Sequence, residues 1–170
     1  MVNTKKMCVV RLLFNFLPLT KAHRIKTLLL RWAGVKIGEN CEITSSVKIL
    51  GNMDLTIGDN VFIGHEAMIM GALHSKIIIG NYVKIGSRTV IVTGTHRFSP
   101  DGNCIEKEGT YADIEICDGA AVSTCSIVLP GKKVNKMAHV AAGSVVTKDI
   151  PEYCRYGGAP ARFIKDLRNI

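Results

Sequence analysis

From Val35 to Pro151 the chain places an aliphatic residue at every sixth position. Ile37, Ile43 and Ile49 form one group, followed by Ile57, Ile63 and Ile69, and then by Ile79, Ile85 and Ile91. After a gap come Ile116, Val122, Val128, Val134, Val140 and Val146. A helix brings like residues together every 3.6 positions and a half-buried strand every second one, so neither calls for a six-residue unit. A chain that turns a corner every six residues does. Three such edges close a coil of about 18 residues, with each aliphatic stacked on its counterpart in the next coil. The pattern predicts five coils, at about 37–54, 57–74, 79–96, 116–133 and 134–151.

Two more positions keep the same period. The residue four places after each aliphatic is small or apolar almost throughout: Cys41, Val47, Val61, Ala67, Val83, Thr89, Thr95, Ala120, Ser126, Ala138 and Ser144, with Lys132 the exception. Glycine often follows the aliphatic directly (Gly38, Gly58, Gly64, Gly80, Gly86), as a close approach of backbones at a corner requires. Breaks in the register mark where function is expected. Insertions of two and four residues precede Ile57 and Ile79, and the large break is RFSPDGNCIEKEGTYAD, residues 97–113. Its seventeen polar, turn-rich residues cannot continue the inward row and are predicted to leave the coil as a loop. Pro151 stops the register, and residues 152–170 read as a turn and a basic tail, with GGAPARFIKDLR folding back over the last coil. The solenoid domain is therefore placed at 35–151, behind an N-terminal segment, 1–34.

That segment holds an apolar run from Cys8 to Leu19, interrupted by Arg11, Asn15 and Pro18. It is shorter than the roughly 20 apolar residues that span a bilayer. No small-x-small site follows it, so cleavage as a signal peptide is not expected. Thr20 is expected to cap a helix that runs to about Ala33 and stops at Gly34, with Leu28, Leu29 and Trp32 on one side. Such a helix reads either as a lid on the first coil or as a basic amphipathic surface resting on an anionic membrane.

Charge sharpens this division. Residues 1–35 contain seven of the 22 Lys/Arg and none of the 14 Asp/Glu, which leaves the rest of the chain at +1. The formal net charge of +8 thus belongs to the N-terminus, and a nucleic-acid-binding body is not indicated. Six cysteines include no CxxC pair and no Cys/His cluster at zinc spacing, which points to reduced thiols in the cytosol.

His96 ends the third coil at the root of the excursion. A histidine there is a natural base for a hydroxyl, because an unperturbed imidazole of pKa about 6.5 is largely neutral near pH 7. His65 and Glu66 lie one coil earlier, in IGHEAMI. His23, His74 and His139 read as ordinary structural or surface residues. Cys125, the candidate for a covalent acyl intermediate, has no adjacent histidine in sequence.

The repeat over residues 35–165 resembles the hexapeptide-repeat acyltransferases, and VTGTH followed by a Pro/Asp-containing loop resembles the catalytic-histidine segment of their sugar O-acetyltransferases. The resemblance implies an all-β, left-handed parallel β-helix of about five coils, with an N-terminal basic helix and an ejected active-site loop. It also implies a homotrimer with sites between subunits, where His65 can approach His96 across a boundary. His96 would take the proton of an acceptor hydroxyl that attacks acetyl-CoA directly, with backbone amides stabilising the oxyanion. Relatives carry an asparagine near the position of Gly64-His65. VAAGSVVTKDIP and GGAPARFIK resemble the coenzyme A segment. By that match Thr124, Ala142, Thr147 and Lys148 line the groove, while Arg162 and Lys165 sit near the nucleotide phosphates. Lys132-Lys133 departs from the usual aliphatic at the groove edge. The carbonic-anhydrase branch pairs two histidines five positions apart. Asp101 stands where the partner of His96 would fall, so no metal is expected.

The basic N-terminus together with IGHEAMI gives the chain the look of the capsule or lipopolysaccharide O-acetyltransferases. This implies a cytoplasmic enzyme of polysaccharide biosynthesis, with peripheral contact through residues 1–34 at the inner face of the membrane. The competing readings are an amino-sugar N-acetyltransferase and a non-catalytic β-helix scaffold or binding module.

Overall fold

The computed structural model describes residues 1–169, without the side chain of Lys107; Ile170, the last residue of the expected tail, lies outside the described residues. Two helices, α1 (Thr4–Phe14) and α2 (His23–Trp32), precede the solenoid. The first coil is β1 (Lys36–Ile37), β2 (Glu42–Ile43) and β3 (Lys48–Gly51). The second is β4 (Asp54–Ile57), β5 (Phe62–Ile63) and β6 (Met68–Gly71), and the third is β7 (Lys76–Ile79), β8 (Lys84–Ile85) and β9 (Val90–Val92). A hairpin, β10 (Gly94–Phe98) and β11 (Ile105–Tyr111), then leaves the stack. The fourth coil is β12 (Ile114–Ile116), β13 (Ala121–Val122) and β14 (Ile127–Val128); the fifth is β15 (Lys133–Val134), β16 (His139–Val140) and β17 (Val145–Val146). The chain closes with β18 (Cys154–Gly157) and β19 (Arg162–Asp166).

Equivalent strands of successive coils pair in parallel, giving three faces: β1-β4-β7-β12-β15, then β2-β5-β8-β13-β16-β18, and β3-β6-β9-β14-β17. The six-residue rows stack as the period requires. Ile37, Ile57, Ile79, Ile116 and Val134 are in register on the first face. Ile43, Ile63, Ile85, Val122 and Val140 follow on the second, and Ile49, Ile69, Ile91, Val128 and Val146 on the third. All of them are buried. Each removes an aliphatic side chain from water, which contributes roughly 1.5–3 kcal/mol.

The corners explain the other two periodic positions. The fourth-place residues are buried beside the rows, from Cys41 to Ser144, except Lys132, which is half-buried, and Thr95, which is exposed because the chain has already left the coil at Gly94. The glycines sit where coils touch: a Cβ at Gly58 would lie 2.8 Å from the Gly80 carbonyl carbon, and one at Gly86 would lie 2.4 Å from the Thr124 nitrogen. The turn itself is made two residues later, by a left-handed residue at Asn40, Asn60, Glu66, Tyr82, Arg88, Cys125 and Met137, with φ between 55° and 59°. At the corner between the first and second faces, Asx carboxyl or amide oxygens stack the coils. Glu39 N–H donates to Asp59 Oδ1, Asp59 N–H to Asn81 Oδ1, and Asn81 N–H to Asp118 Oδ1, at 2.7, 2.8 and 2.7 Å.

Several sequence expectations need correction. The short insertions before Ile57 and Ile79, read as breaks in the register, stay within the coils. They lengthen the first face and add a second buried row, Leu55–Ile77–Ile114. Pro151 does not end the register, because Ile150 bridges to Val134 and Tyr156, six residues on, stacks on Val140. An aliphatic count misses that step because the stacked residue is aromatic. The basic tail is a strand: β19 runs antiparallel to β18, with Phe163 edge-on to Tyr156 at 5.9 Å.

The N-terminus also differs. The run containing Arg11 forms α1, capped by Asn3, whose Oδ1 accepts from Lys6 N–H at 3.1 Å. Thr20 caps nothing. Ala22, in a left-handed conformation, precedes α2, and the Thr20 carbonyl instead accepts from His23 Nε2 at 2.8 Å. The side of α2 that meets the coil is Lys26, Thr27 and Leu30, while Leu28 and Trp32 point outward. Lys26 is buried whole because its Nζ donates to the carbonyls of Pro18 and Leu19, each at 2.8 Å. Burial pushes its pKa below the ordinary lysine range.

Candidate active site

The excursion is an ordered antiparallel hairpin, because its polar residues find partners across two strands rather than in the coil core. Gly94 faces Tyr111, Thr95 faces Thr110 and His96 faces Gly109. Its tip closes on Asp101, which accepts from the Ser99 hydroxyl and from Asn103 Nδ2 and N–H. These bonds, the Ser99 hydroxyl foremost, hold the Asp101 carboxyl below the usual range.

His96 stands exposed on β10 and lines a cleft of about 610 Å³ together with Leu50, Met70, Leu73, Val92 and Tyr111. Its cross-strand partner has no side chain. A Cβ at Gly109 would lie 3.1 Å from the Thr95 carbonyl oxygen and in ordinary contact with His96 Cε1 and Nδ1, at 3.8 and 3.9 Å.

Both stems of the hairpin are pinned. At the exit, the buried Thr93 Oγ1 accepts from Ala72 N–H at 2.9 Å and shares a 2.8 Å hydrogen bond with the buried Ser75 hydroxyl. At the return, Asp113 Oδ1 accepts from Lys76 N–H at 2.7 Å, and Ala112 N–H donates to the Thr93 carbonyl at 3.0 Å. The sequence reading missed Ser75, Thr93 and Asp113. The available signal was a polar residue in line with buried rows on either side of the break.

Thr93→Val therefore leaves the Ala72 N–H without its partner, while the Ser75 hydroxyl keeps its 2.7 Å bond to the Ala72 carbonyl, at a cost of about 1–3 kcal/mol. It also loosens the stem that aims His96. Catalysed turnover is expected to fall about tenfold or more with little change in KM, and Thr93→Ser is expected to restore it. Steady-state kinetics of the two variants check this.

His65 lies at the corner between the second and third faces, and His96 lies past the third, so the third face separates them within one chain. His65 Nδ1 is 2.7 Å from Ser46 Oγ, which also accepts from Glu66 N–H at 3.0 Å. Glu66 reaches the other ring nitrogen at 3.6 Å through Oε1, while its Oε2 accepts from Arg88 Nε at 2.8 Å. The Arg88 guanidinium holds the Glu66 carboxyl below the usual range. Ser46 and Glu66 border a second cleft, of about 520 Å³, between this corner and Cys8, Arg11 and Asn15 of the N-terminal segment. The two clefts share no lining residue.

The residues matched to coenzyme A fall into three places. Thr124 and Ala142 are exposed at the second corner, Thr147 and Lys148 follow β17 at the third, and Arg162 and Lys165 are exposed on β19. The 158–161 turn joins them, since Val145 N–H donates to the Gly158 carbonyl and Ala161 N–H to that of Val145. Beside Ala142, a Cβ at Gly143 would meet nothing within 4 Å, so the backbone there is open. Lys133 lies on the first face, paired with Glu115 at 2.8 Å, and its N–H donates to Asp149 Oδ1 at 2.9 Å, next to Lys148.

The remaining candidates lie at coil corners and coil contacts. His139 shares a 2.8 Å hydrogen bond with the Ser123 hydroxyl, and burial, with Arg155 nearby, lowers its pKa. His74 takes a left-handed corner. Cys125 is an exposed corner residue, and burial beside Glu115 pushes the Cys117 thiol up to about 11. Among the described residues no three His, Cys, Asp or Glu side chains are placed to hold a metal ion.

No protein-family model matches the chain. Individual relatives do. A galactoside O-acetyltransferase from Lactococcus lactis is 33% identical over 132 residues, covering 74% of this chain and 59% of that protein's length. A protein named for acetyl transfer in colanic acid biosynthesis, WcaF of Escherichia coli, is 30% identical over 144 residues, covering 85% and 76%. The chain belongs to the hexapeptide-repeat acetyltransferases.

Solved structures agree on the fold of this family. A hexapeptide-repeat acetyltransferase from Vibrio cholerae superposes with a TM-score of 0.73 at 24% identity, covering 96% of this chain and 89% of that one. A maltose O-acetyltransferase from Clostridium difficile gives 0.64 at 21%, covering 96% and 85%. The N-acyltransferase AntD of Bacillus cereus, solved with dTDP and 3-hydroxybutyryl-CoA, gives 0.68 at 19%, covering 88% and 90%. The five-coil solenoid is thus a left-handed β-helix of the hexapeptide-repeat acetyltransferase type.

Proposed function

We propose that this chain transfers an acetyl group from acetyl-CoA to a hydroxyl of a sugar or surface-glycan precursor, with His96 as general base. The observation that carries the reading is the pinned hairpin, which holds an exposed imidazole in the lining of a cleft large enough for a sugar. In the transfer, the acceptor oxygen forms its bond to the acetyl carbonyl carbon as the thioester C–S bond breaks. His96 takes the hydroxyl proton and returns it to the departing thiolate. Backbone amides beside the hairpin would stabilise the oxyanion.

The groove residues fit the donor. Small side chains at Thr124, Ala142 and Thr147 leave backbone groups open to an extended amide chain, and Lys148, Arg162 and Lys165 supply cations for phosphates. Bound there, acetyl-CoA supplies an activated acyl group.

The site is completed between subunits of a homotrimer. In the second to fourth coils the outward residues of the third face (Met68, Met70, Val90, Val92, Ile127, Leu129) are apolar, and the hairpin carries exposed Phe98 opposite Ile105, as a subunit contact would use. That assembly would bring the His65 corner of one chain to the His96 cleft of the next, with Ser46, His65 and Glu66 orienting the acceptor. Six free cysteines suit a cytoplasmic enzyme.

His65→Ala is expected to raise KM for the acceptor about tenfold while kcat changes less, because lost acceptor hydrogen bonds weaken binding without removing the base. Initial rates against acceptor concentration check it. The reaction class is tested by incubating the chain with acetyl-CoA and a panel of sugars, nucleotide sugars and amino sugars, then treating the products with hydroxylamine. An ester is cleaved and supports the reading. A resistant amide identifies amino-sugar N-acetylation instead. No product with any acceptor, together with no thermal shift from coenzyme A, leaves a non-catalytic solenoid.

A further inference from the structure

The two N-terminal helices each bury one side and leave the opposite side apolar. α1 turns Met7, Val10 and Phe14 inward, while Val9, Leu12, Leu13 and, just beyond it, Phe16 face solvent. α2 turns Lys26, Thr27 and Leu30 inward, while Ile25, Leu28 and Trp32 face solvent. Exposure is large: 64% for Leu12, 86% for Phe16, 59% for Leu28 and 49% for Trp32. The spacings 9-12-13-16 and 25-28-32 are helical, so each set forms one stripe rather than scattered side chains. Lys6 Nζ stands 5.0 Å from the Trp32 ring and links the two helices.

The charge around these stripes selects the occupant. Of the seven basic residues in 1–35, Lys26 is spent on the Pro18 and Leu19 carbonyls, and Arg31 on Glu39 and the Ile37 and Gly38 carbonyls. Lys5, Lys6, Lys21 and Arg24 remain, with Arg11 at the cleft that Ser46 and Glu66 border, and the segment contains no acid. A second copy of the same face would set four cations against four. An anionic lipid surface complements both the charge and the apolar rows. No helix among the described residues is long and apolar enough to cross a membrane.

We propose that residues 4–32 form a two-helix platform that docks on an anionic lipid bilayer, with Phe16, Leu28 and Trp32 entering the headgroup region. This rests on exposure and charge alone and holds whichever acceptor the cleft takes. It would hold the solenoid beside a membrane-borne acceptor.

The test is sedimentation of the full chain with vesicles of phosphatidylcholine alone and of phosphatidylcholine mixed with an equal part of phosphatidylglycerol. The chain is expected to pellet with the anionic vesicles, to do so less as salt rises, and to stay in solution with the neutral ones. Lys5→Gln/Lys21→Gln/Arg24→Gln is expected to reduce partitioning about a hundredfold, and Phe16→Gln/Leu28→Gln about tenfold or more. Both variants are expected to keep the wild-type melting temperature and turnover of a soluble acceptor, so loss of binding is separable from misfolding and from failure of the catalytic reading. Equal partitioning to both vesicle types, no partitioning, or variants that bind like wild type would overturn the proposal. So would a change in subunit number on ultracentrifugation of Phe16→Gln/Leu28→Gln, which would assign the face to another copy of the chain.

Discussion

His96→Ala is expected to lower the catalysed rate by about 10²–10⁴-fold, the usual worth of a positioned general base. A sugar hydroxyl is a poor nucleophile until its proton leaves, and the cleft offers this imidazole, opposite Gly109, in its lining. His96→Asn is expected to lose as much, since an amide can hydrogen-bond the hydroxyl but cannot accept its proton. The loss should fall on kcat. His96 is exposed on a hairpin outside the core, so the melting temperature and the thermal shift given by coenzyme A should be those of the wild type. Activity retained by either variant would remove His96 from the chemistry while leaving the fold untouched.

Gly86→Ala is expected to damage the fold severely for a change of a single carbon. A Cβ there would lie 2.4 Å from the Thr124 nitrogen and 2.7 Å from the Ser123 carbonyl carbon, both backbone atoms of the next coil that no rotamer can move. Relief requires the third and fourth coils to separate where Gly86 N–H donates to the Val122 carbonyl at 2.7 Å, beside the stacked Ile85 and Val122. A destabilisation of about 3 kcal/mol is expected, lowering the melting temperature by about 6–12 °C. Gly94→Ala serves as the control. Its Cβ would have Ala72 Cβ at 3.8 Å as nearest neighbour, an ordinary contact, so a change of no more than about 1 kcal/mol is expected by thermal melting.

The contrast between those two glycines shows what the sequence could and could not say. The rows of Ile and Val were legible because a solenoid imposes one period on every coil, and the glycines beside them marked real backbone contacts. Deviations from the period were harder to interpret. The insertions before Ile57 and Ile79 looked like the break after His96, yet they place Leu55 and Ile77 in the core. The difference is that LTI and KIII still alternate inward, whereas residues 97–113 do not. Tyr156 continued the register unseen because stacking depends on direction, not on side-chain class. α1 was obscured by Arg11 and Asn15, which are exposed and therefore say nothing against a helix with Met7, Val10 and Phe14 on its other side.

At the candidate site, the link between His96 and the excursion was readable, but the chain leaves the coil at Gly94 rather than after residue 96, so His96 lies on the first strand of the hairpin and not at a coil corner. What holds it there was not readable. Thr93 and Ser75 are eighteen residues apart and meet only because one coil lies on another. The Ser46–His65–Glu66–Arg88 group arises in the same way, from corners of three successive coils. Contacts between coils are set by stacking, and a single chain read in order shows each partner without the other.

The most direct test of the central proposal is rapid-mixing release of free thiol from acetyl-CoA by the wild-type chain, with and without a sugar acceptor. Direct transfer with His96 as base predicts thiol release that depends on the acceptor, matches the ester formed, and shows no burst equal to the protein concentration when the acceptor is left out. A stoichiometric burst without acceptor would contradict it by revealing an acyl-enzyme, and no acceptor-dependent release with any sugar would contradict it outright.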